Sequence, residues 1–387
     1  MKILWLSNAP WTPTGYGQQT CLFTPMIQQA GHDVAIAASW GLAGDQLTWE
    51  GIPVYPGGFD AYGNDIMVPW ALEHFEGNVD AGWLFTLYDA WVFQNDDIKN
   101  LHNAVWVPVD HKPLPPIVGQ YFTRFNGVPV AMSKFGRDEF YSQDIEALYV
   151  PHGFDPVYEP KPRAEAREAL GIPDDVFVVG MNAANKGKGG LHRKGFSQAF
   201  EGFARFHAKH PDSILYIHAE STGMAGSVGW NLERLAVGYS IENSVRFVDQ
   251  HAWRKTIPTD ALPWMYSAFD VFLNPAYGDG FGVPIIEAQA CGVPVVVTDH
   301  TAMSELVFDG WAVDGINMWH EQMAAFWKIP HPVFIADALE ECLKRPRGVS
   351  KQAVEGVAPY RADRVFKDHF LPVLANLEER INPAAAA

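Results

Sequence analysis

Residues 270–297 read DVFLNPAYGDGFGVPIIEAQACGVPVVV, and this stretch narrows the possible folds more than any other. Its two short β-branched apolar runs, VFL and VPVVV, have the length and composition of buried parallel strands. The intervening AYGDGFG places glycines where a backbone must approach a ligand closely. Pro284 suits the first turn of a helix, so the helix carrying residues 285–290 aims its amino end at the glycine loop. Unpaired amides and the positive end of the helix dipole favour anions or sugar hydroxyls at that point. The segment reads as a βαβ unit whose ligand end is the loop.

Asp279 lies in that loop, and Glu287 follows eight positions later inside the helix. Two carboxylates so placed can each grip a vicinal diol, one on a sugar and one on a ribose. The same spacing fits an Asp279 that caps a turn and a Glu287 that pairs with a nearby cation, and spacing alone leaves both readings open.

GDGFGVPIIEAQACGVPVV resembles the E-x7-E signature of the retaining glycosyltransferases of family 4, which have the GT-B fold. The resemblance implies two Rossmann-like doubly wound α/β domains facing a cleft, with a C-terminal helix crossing back to the first domain. Asp279 stands where the family usually carries Glu, one methylene longer, which bears on the identity of the donor sugar. By the same resemblance Glu287 holds the ribose of a nucleotide sugar. Asp279 then contacts the transferred sugar beside the backbone amides of Gly280, Phe281 and Gly282.

The chain has 387 residues, 48% of them hydrophobic, enough for two cores, and strands alternate with helices in both halves. The expected division is 1–157 for an acceptor-side Rossmann-like domain and 158–345 for a nucleotide-sugar-binding one. Residues 346–387 are expected to form a helical segment packing back on the first domain, with the final PAAAA outside it. No apolar run approaches the roughly 20 residues needed to span a bilayer, and MKILWLSNAP enters a strand without a basic flank or cleavage signature. A soluble, cytoplasmic protein is expected. Cys21, Cys291 and Cys342 are too few and too scattered for a disulfide framework or a zinc site and read as buried thiols, and no metal motif is visible.

The first half opens with a strand KILWLS, a loop NAPWTPTGYG, a helix over 18–29, a stop at Gly31 and a second strand DVAIAAS. Its glycines fall at the carboxyl end of the first strand, where ligands bind in open α/β sheets. TGYG lacks the full dinucleotide fingerprint and equally fits a structural turn. The family resemblance implies that Gly15, Tyr16 and Gly17 lie on a glycine-rich loop facing the donor. VPVDHKPLPP places Asp110 and His111 at another strand end. By its resemblance to the motifs closing this domain in family members, His111 is the candidate to touch the donor sugar near its reacting carbon. His152, in PHGFD, reads as structural.

In the second half NAANKGKGGLHRKG separates a strand VFVVGMN from an amphipathic helix with Phe196, Ala199, Phe200 and Phe203 on one face. With His192 counted beside Lys186, Lys188, Arg193 and Lys194, this loop holds five basic side chains in an otherwise acidic chain. A basic loop at a helix amino terminus suits a diphosphate, although solvated surface lysines fit it too. The resemblance implies that Arg193 and Lys194 bind the donor pyrophosphate, with Asn185 as a neighbour. Residues 247–250 fall where family members hold the nucleobase, and the base itself, UDP or GDP by expectation, is not readable.

Fixed cations and helix-end amides stabilise a departing diphosphate more in the transition state than before it, a role that needs no metal or other cofactor. The acceptor is open. Formal net charge is −17, and residues 1–155 hold 6 Lys+Arg against 17 Asp+Glu, a balance of −11, which disfavours nucleic acid and anionic lipid. A protein side chain, a glycan or a small metabolite remains, and Trp11, Trp40, Trp49, Trp70, Trp83, Trp91 and Trp106 divide between core and sugar stacking. The alternatives are a GT-B nucleotide-sugar epimerase or phosphorylase, and a non-catalytic glycan-binding or scaffold protein of the same fold. Oligomeric state is not readable.

Overall fold

The computed structural model describes residues 1–187, 191–222 and 229–381. Two units emerge, each built on one sheet. The first comprises Met1–Asp155 with Glu321–Ala325 and the chain from Tyr360 onward, and the second comprises Pro156–His320 and Phe326–Pro359. The second unit therefore extends past the expected limit at residue 345. Helix Lys351–Val357 packs on helix Val283–Ala290, which keeps that stretch with the second sheet.

The first sheet holds β1 (Lys2–Asn8), β2 (Asp33–Trp40), β3 (Leu47–Trp49), β4 (Ile52–Tyr55), β5 (Gly82–Leu87), β6 (Asn103–Val107), β7 (Val128–Ala131) and β8 (Leu148–Tyr149), in the order β3-β4-β2-β1-β5-β6-β7-β8. All neighbours pair parallel except β3 with β4. The chain runs outward from β1 to β2 and β4, then returns to β5 on the other side. Ligands of open parallel sheets bind where that direction reverses, outside the carboxyl ends of β1 and β5.

Helix α1 spans Gly15–Gln29, so Gly15, Tyr16 and Gly17 form its first turn rather than the expected loop. The Thr14 side chain explains the early start: it accepts from the Gly17 amide at 3.0 Å and serves as the N-cap. At the far end of the chain, residues 362–381 run as one helical stretch within the first unit, with a π-type turn at Phe366–Phe370. Phe370 is fully buried against Trp5, Phe23 and Trp106. The Trp83 indole donates to the Leu377 carbonyl at 3.0 Å. The chain thus returns to brace the unit in which it began. Trp83 and Trp106 belong to this core, whereas Trp11 and Trp40 stay exposed.

The second sheet holds β9 (Phe177–Asn182), β10 (Ser213–His218), β11 (Val245–Phe247), β12 (Val271–Asn274), β13 (Val295–Thr298) and β14 (Gly310–Val313). Its order, β11-β10-β9-β12-β13-β14, is all parallel and reverses direction between β9 and β12. Helix α2 (Phe196–His207) buries the anticipated phenylalanine stripe, and helix α3 (Val283–Ala290) carries Pro284 in its first turn. A hairpin of β15 (Gly315–His320) and β16 (Ala325–Pro330), unanticipated from sequence, follows β14. Cys291 and Cys342 are buried as expected, but Cys21 is exposed, because it lies on the outward face of α1.

Candidate active site

The loop after β9 and the loop after β12 meet at the reversal point of the second sheet. The Tyr277 amide donates to the Arg193 carbonyl at 2.7 Å. Gly195, the N-cap of α2, has φ +69°, and a Cβ there would lie 2.0 Å from the Pro275 carbonyl oxygen. Only glycine permits this approach.

The approach brings three of the anticipated side chains together. Asp279 Oδ1 accepts from Arg193 Nη1 at 2.8 Å and from Lys194 Nζ at 2.5 Å, and Arg193 Nη1 also donates to the Gly278 carbonyl at 3.0 Å. Asp279 is buried, with Arg193 and Lys194 at its solvent side. Burial favours its neutral form, but the two cations win and hold the carboxyl below the usual range. Its backbone N–H donates to Thr301 Oγ1 at 3.2 Å. One carboxylate against two cations leaves one net positive charge facing outward, suited to an anion. Gly282, with φ +108°, caps α3, and because the Phe281 ring is buried, its backbone is what remains to face a ligand.

Glu287 sits just over one turn inside α3 and is 3% exposed. Tyr266, from helix Leu262–Ser267, donates its hydroxyl to Glu287 Oε2 at 2.8 Å and accepts from Asn182 Nδ2 at 2.9 Å. Complete burial pushes the Tyr266 hydroxyl far above its ordinary value, so it remains a donor. Nothing local in the sequence marks Tyr266 or Asn182; their roles arise from the packing of β9, helix Leu262–Ser267 and α3.

Two members of the basic loop have other work. Asn185 Nδ2 donates to the carbonyls of Glu220 and Trp230, both at 2.8 Å, while its Oδ1 accepts from the Trp230 amide and lies 2.8 Å from His192 Nε2. The Asn185 amide is spent on holding loops together. His192 packs edge-on against Phe196 and Trp230, and burial, aided by Arg193 and Lys194, pushes it down to about 4. It is neutral and does not belong in the cationic count. Lys188 lies outside the described residues, as does the terminal PAAAA.

The other candidates belong to the first unit. Gly15 has open space where a side chain would be, whereas a Cβ on Gly17 would lie 2.1 Å from Thr12 Oγ1, so Gly17 serves packing. The Tyr16 ring meets Tyr88 edge-on at 5.6 Å. Tyr88 donates to Asn8 Oδ1 across the β1/β5 reversal point, with burial pushing its hydroxyl up to about 12. His111, beyond the end of β6, is buried with Nδ1 2.6 Å from Asp110 Oδ1. His152 packs against Trp106 at 4.5 Å, and full burial pushes it down to about 3, as befits a core group. Among the described residues, no group of three or more His, Cys, Asp or Glu side chains converges as a metal site.

Two doubly wound sheets with a charged cluster at a reversal point define the GT-B architecture, and similarity to known proteins agrees with that class. Residues 189–329 match the family model described as "Glycosyl transferases group 1". The lipopolysaccharide core biosynthesis mannosyltransferase LpsB of Rhizobium meliloti (strain 1021) is 28% identical over 184 residues, 47% of this chain and 49% of the relative. A D-inositol 3-phosphate glycosyltransferase of Stackebrandtia nassauensis is 30% identical over 179 residues, 44% of this chain and 38% of the relative. The chain thus spans about half or less of the length of these curated relatives. Sucrose-phosphate synthase from Thermosynechococcus elongatus superposes with TM-score 0.72 at 18% identity, covering 97% of this chain and 99% of that one. HepE from Anabaena, solved in complex with UDP and glucose, superposes with TM-score 0.65 at 18% identity, covering 97% and 100%. The group 1 match contains Arg193, Lys194, Asp279 and Glu287. No helix among the described residues is long and apolar enough to cross a membrane.

Proposed function

We propose that this chain is a retaining, metal-independent glycosyltransferase of the family 4 type, acting in the cytoplasm on a UDP- or GDP-linked sugar. The observation that carries this reading is the convergence of Arg193 and Lys194 on Asp279 at the reversal point of the second sheet. In the proposed reaction the bond between the anomeric carbon and the diphosphate oxygen breaks, and its electron pair leaves with the diphosphate. Arg193 and Lys194 stabilise that charge, and the α3 amides add to it. The acceptor oxygen attacks from the face the diphosphate leaves, and its proton passes to the departing phosphate oxygen. Asp279 positions the donor sugar, Glu287, oriented by Tyr266, positions the ribose, and His111 contacts the sugar. The acceptor is a protein side chain, a glycan or a small metabolite, and the exposed faces of Trp11 and Trp40 suit a sugar ring.

A melting-temperature screen against UDP, GDP, ADP and their sugar conjugates, with and without a chelator, tests the reading. Stabilisation by one nucleotide family that survives chelation supports it. Lys194→Ala and Glu287→Ala should each weaken donor binding or turnover at least tenfold with the fold intact; parent-like behaviour of both would remove the site assignment. The ion pairs already made by Asp279 favour one rival, a scaffold protein that no longer turns over a donor. Slow hydrolysis of a nucleotide sugar in the absence of acceptor decides against that rival.

A further inference from the structure

At the amino-terminal edge of the second sheet, opposite the donor loops, lies a cavity of about 360 Å³. It opens beside the strand starts at Phe177 and Pro294 and is floored by Asp270. Three cations line it: Arg345, Arg347 and Lys351. Two more stand behind Asp270, with Arg163 Nη2 2.7 Å from its Oδ1 and Arg167 Nη2 2.8 Å from its Oδ2. Arg345 is bonded to both oxygens of Asp309, at 2.7 and 2.8 Å. Five cations therefore face two carboxylates, in a chain whose net charge is −17.

The three excess charges are not equally committed. Arg167 is fully buried, and its Nε, Nη1 and Nη2 all donate, to four carbonyls and to Asp270, so it is structural. Arg347 donates through Nη1 to the carbonyls of Asp175 and Val176, its Nε stands 4.0 Å from Asp270, and its Nη2 has no partner among the described residues. Lys351 is exposed and its ammonium has no carboxylate or carbonyl partner among the described residues. Helices Val283–Ala290 and Pro332–Leu343 end near this edge, and their negative ends offset about half a charge each, roughly one of the three. Asp174 and Asp175, on the preceding turn, are exposed to water, where screening weakens their pull. About two positive charges remain. The loop bearing them is pinned by the Ser350 amide donating to the Gly292 carbonyl at 2.8 Å.

We propose that this cavity binds a phosphate group, with the free nitrogen of Arg347 and the ammonium of Lys351 as its direct ligands and Arg345 beside them. The site is separate from the donor cluster and does not depend on the transferase reading. Its ligand is either a free phosphorylated metabolite or the headgroup of an anionic phospholipid.

The test is a calorimetric titration of the full chain with inorganic phosphate, on the parent, Lys194→Ala, and the double variant Arg347→Gln/Lys351→Gln. Saturable binding that Lys194→Ala retains and the double variant loses at least tenfold is expected. Arg347→Lys/Lys351→Arg should keep it within about threefold, and circular dichroism checks each fold. A second arm measures sedimentation with vesicles of phosphatidylcholine alone or of equimolar phosphatidylcholine and phosphatidylglycerol. Binding of phosphate without phosphatidylglycerol-dependent pelleting identifies a soluble ligand, and pelleting lost in the double variant identifies the headgroup. A double variant that behaves like the parent in both arms, or a parent that binds neither probe, overturns the proposal.

Discussion

Asp279 accepts both Arg193 and Lys194 on one oxygen atom, so groups that the sequence reading assigned to different parts of a donor form a single cluster. Replacing that carboxylate tests how the cluster divides its labour. Asp279→Asn removes the negative charge that both cations share, so nucleotide diphosphate should bind as well as before or tighter, while sugar transfer falls at least tenfold; paired binding titrations and turnover assays check the split. Tyr266→Phe removes one donor from the buried Glu287 carboxylate, at a cost of about 1–3 kcal/mol, read from the denaturant midpoint, together with weaker nucleotide binding. At this scale the charged residues were legible, because unusual residue types beside glycine loops are visible in a string of letters. Tyr266 was not: its hydroxyl reaches an acid 21 positions away. His192 counted as a basic side chain of its loop and Asn185 as a neighbour of the pyrophosphate pair; burial holds the first neutral, and the second donates to the Glu220 and Trp230 carbonyls.

Two glycines, Gly195 in the second unit and Gly15 at the start of α1 in the first, serve their surroundings in different ways. Gly195→Ala should destabilise the chain by more than about 1–2 kcal/mol, the left-handed backbone penalty alone, because its Cβ also collides with the Pro275 carbonyl. Gly15→Ala, at a negative φ with open space around it, should stay within about 0.5 kcal/mol. Thermal unfolding of the two variants separates a glycine required by packing from one that leaves room for a ligand. Strands and amphipathic helices were readable from periodicity, and the α2 stripe of phenylalanines fell where its spacing placed it. The start of α1 was missed because Thr14 caps it and draws TGYG into the first turn. The β15–β16 hairpin was missed because its connection carries no glycine or proline turn signal.

Both units bury neutral histidines, which sets the response of the whole molecule to acid. Burial pushes His152 down to about 3, and His192 and His218 down to about 4. The unfolded chain, with histidine near 6.5, binds more protons than the folded one over that interval, so stability falls as pH drops from about 6.5 towards 4. Each such group contributes about 1.4 kcal/mol per pH unit within the window. Denaturant titrations at pH 7, 6 and 5 should show the loss, and His218→Gln should flatten the curve; a profile level from 7 to 5 would show that these rings are not held neutral. What sequence alone determined is the alternation of parallel strands and helices, the glycine loops at strand ends, and hence the class of fold, because periodicity and turn chemistry are local. Which carboxylate meets which cation was decided only in three dimensions: Arg193 and Asp279 lie 86 residues apart, and the five cations and two carboxylates at the opposite edge come from four separate stretches of the unit, 163–167, 270, 309 and 345–351. Convergence over such separations follows from sheet order, which no short window of residues encodes.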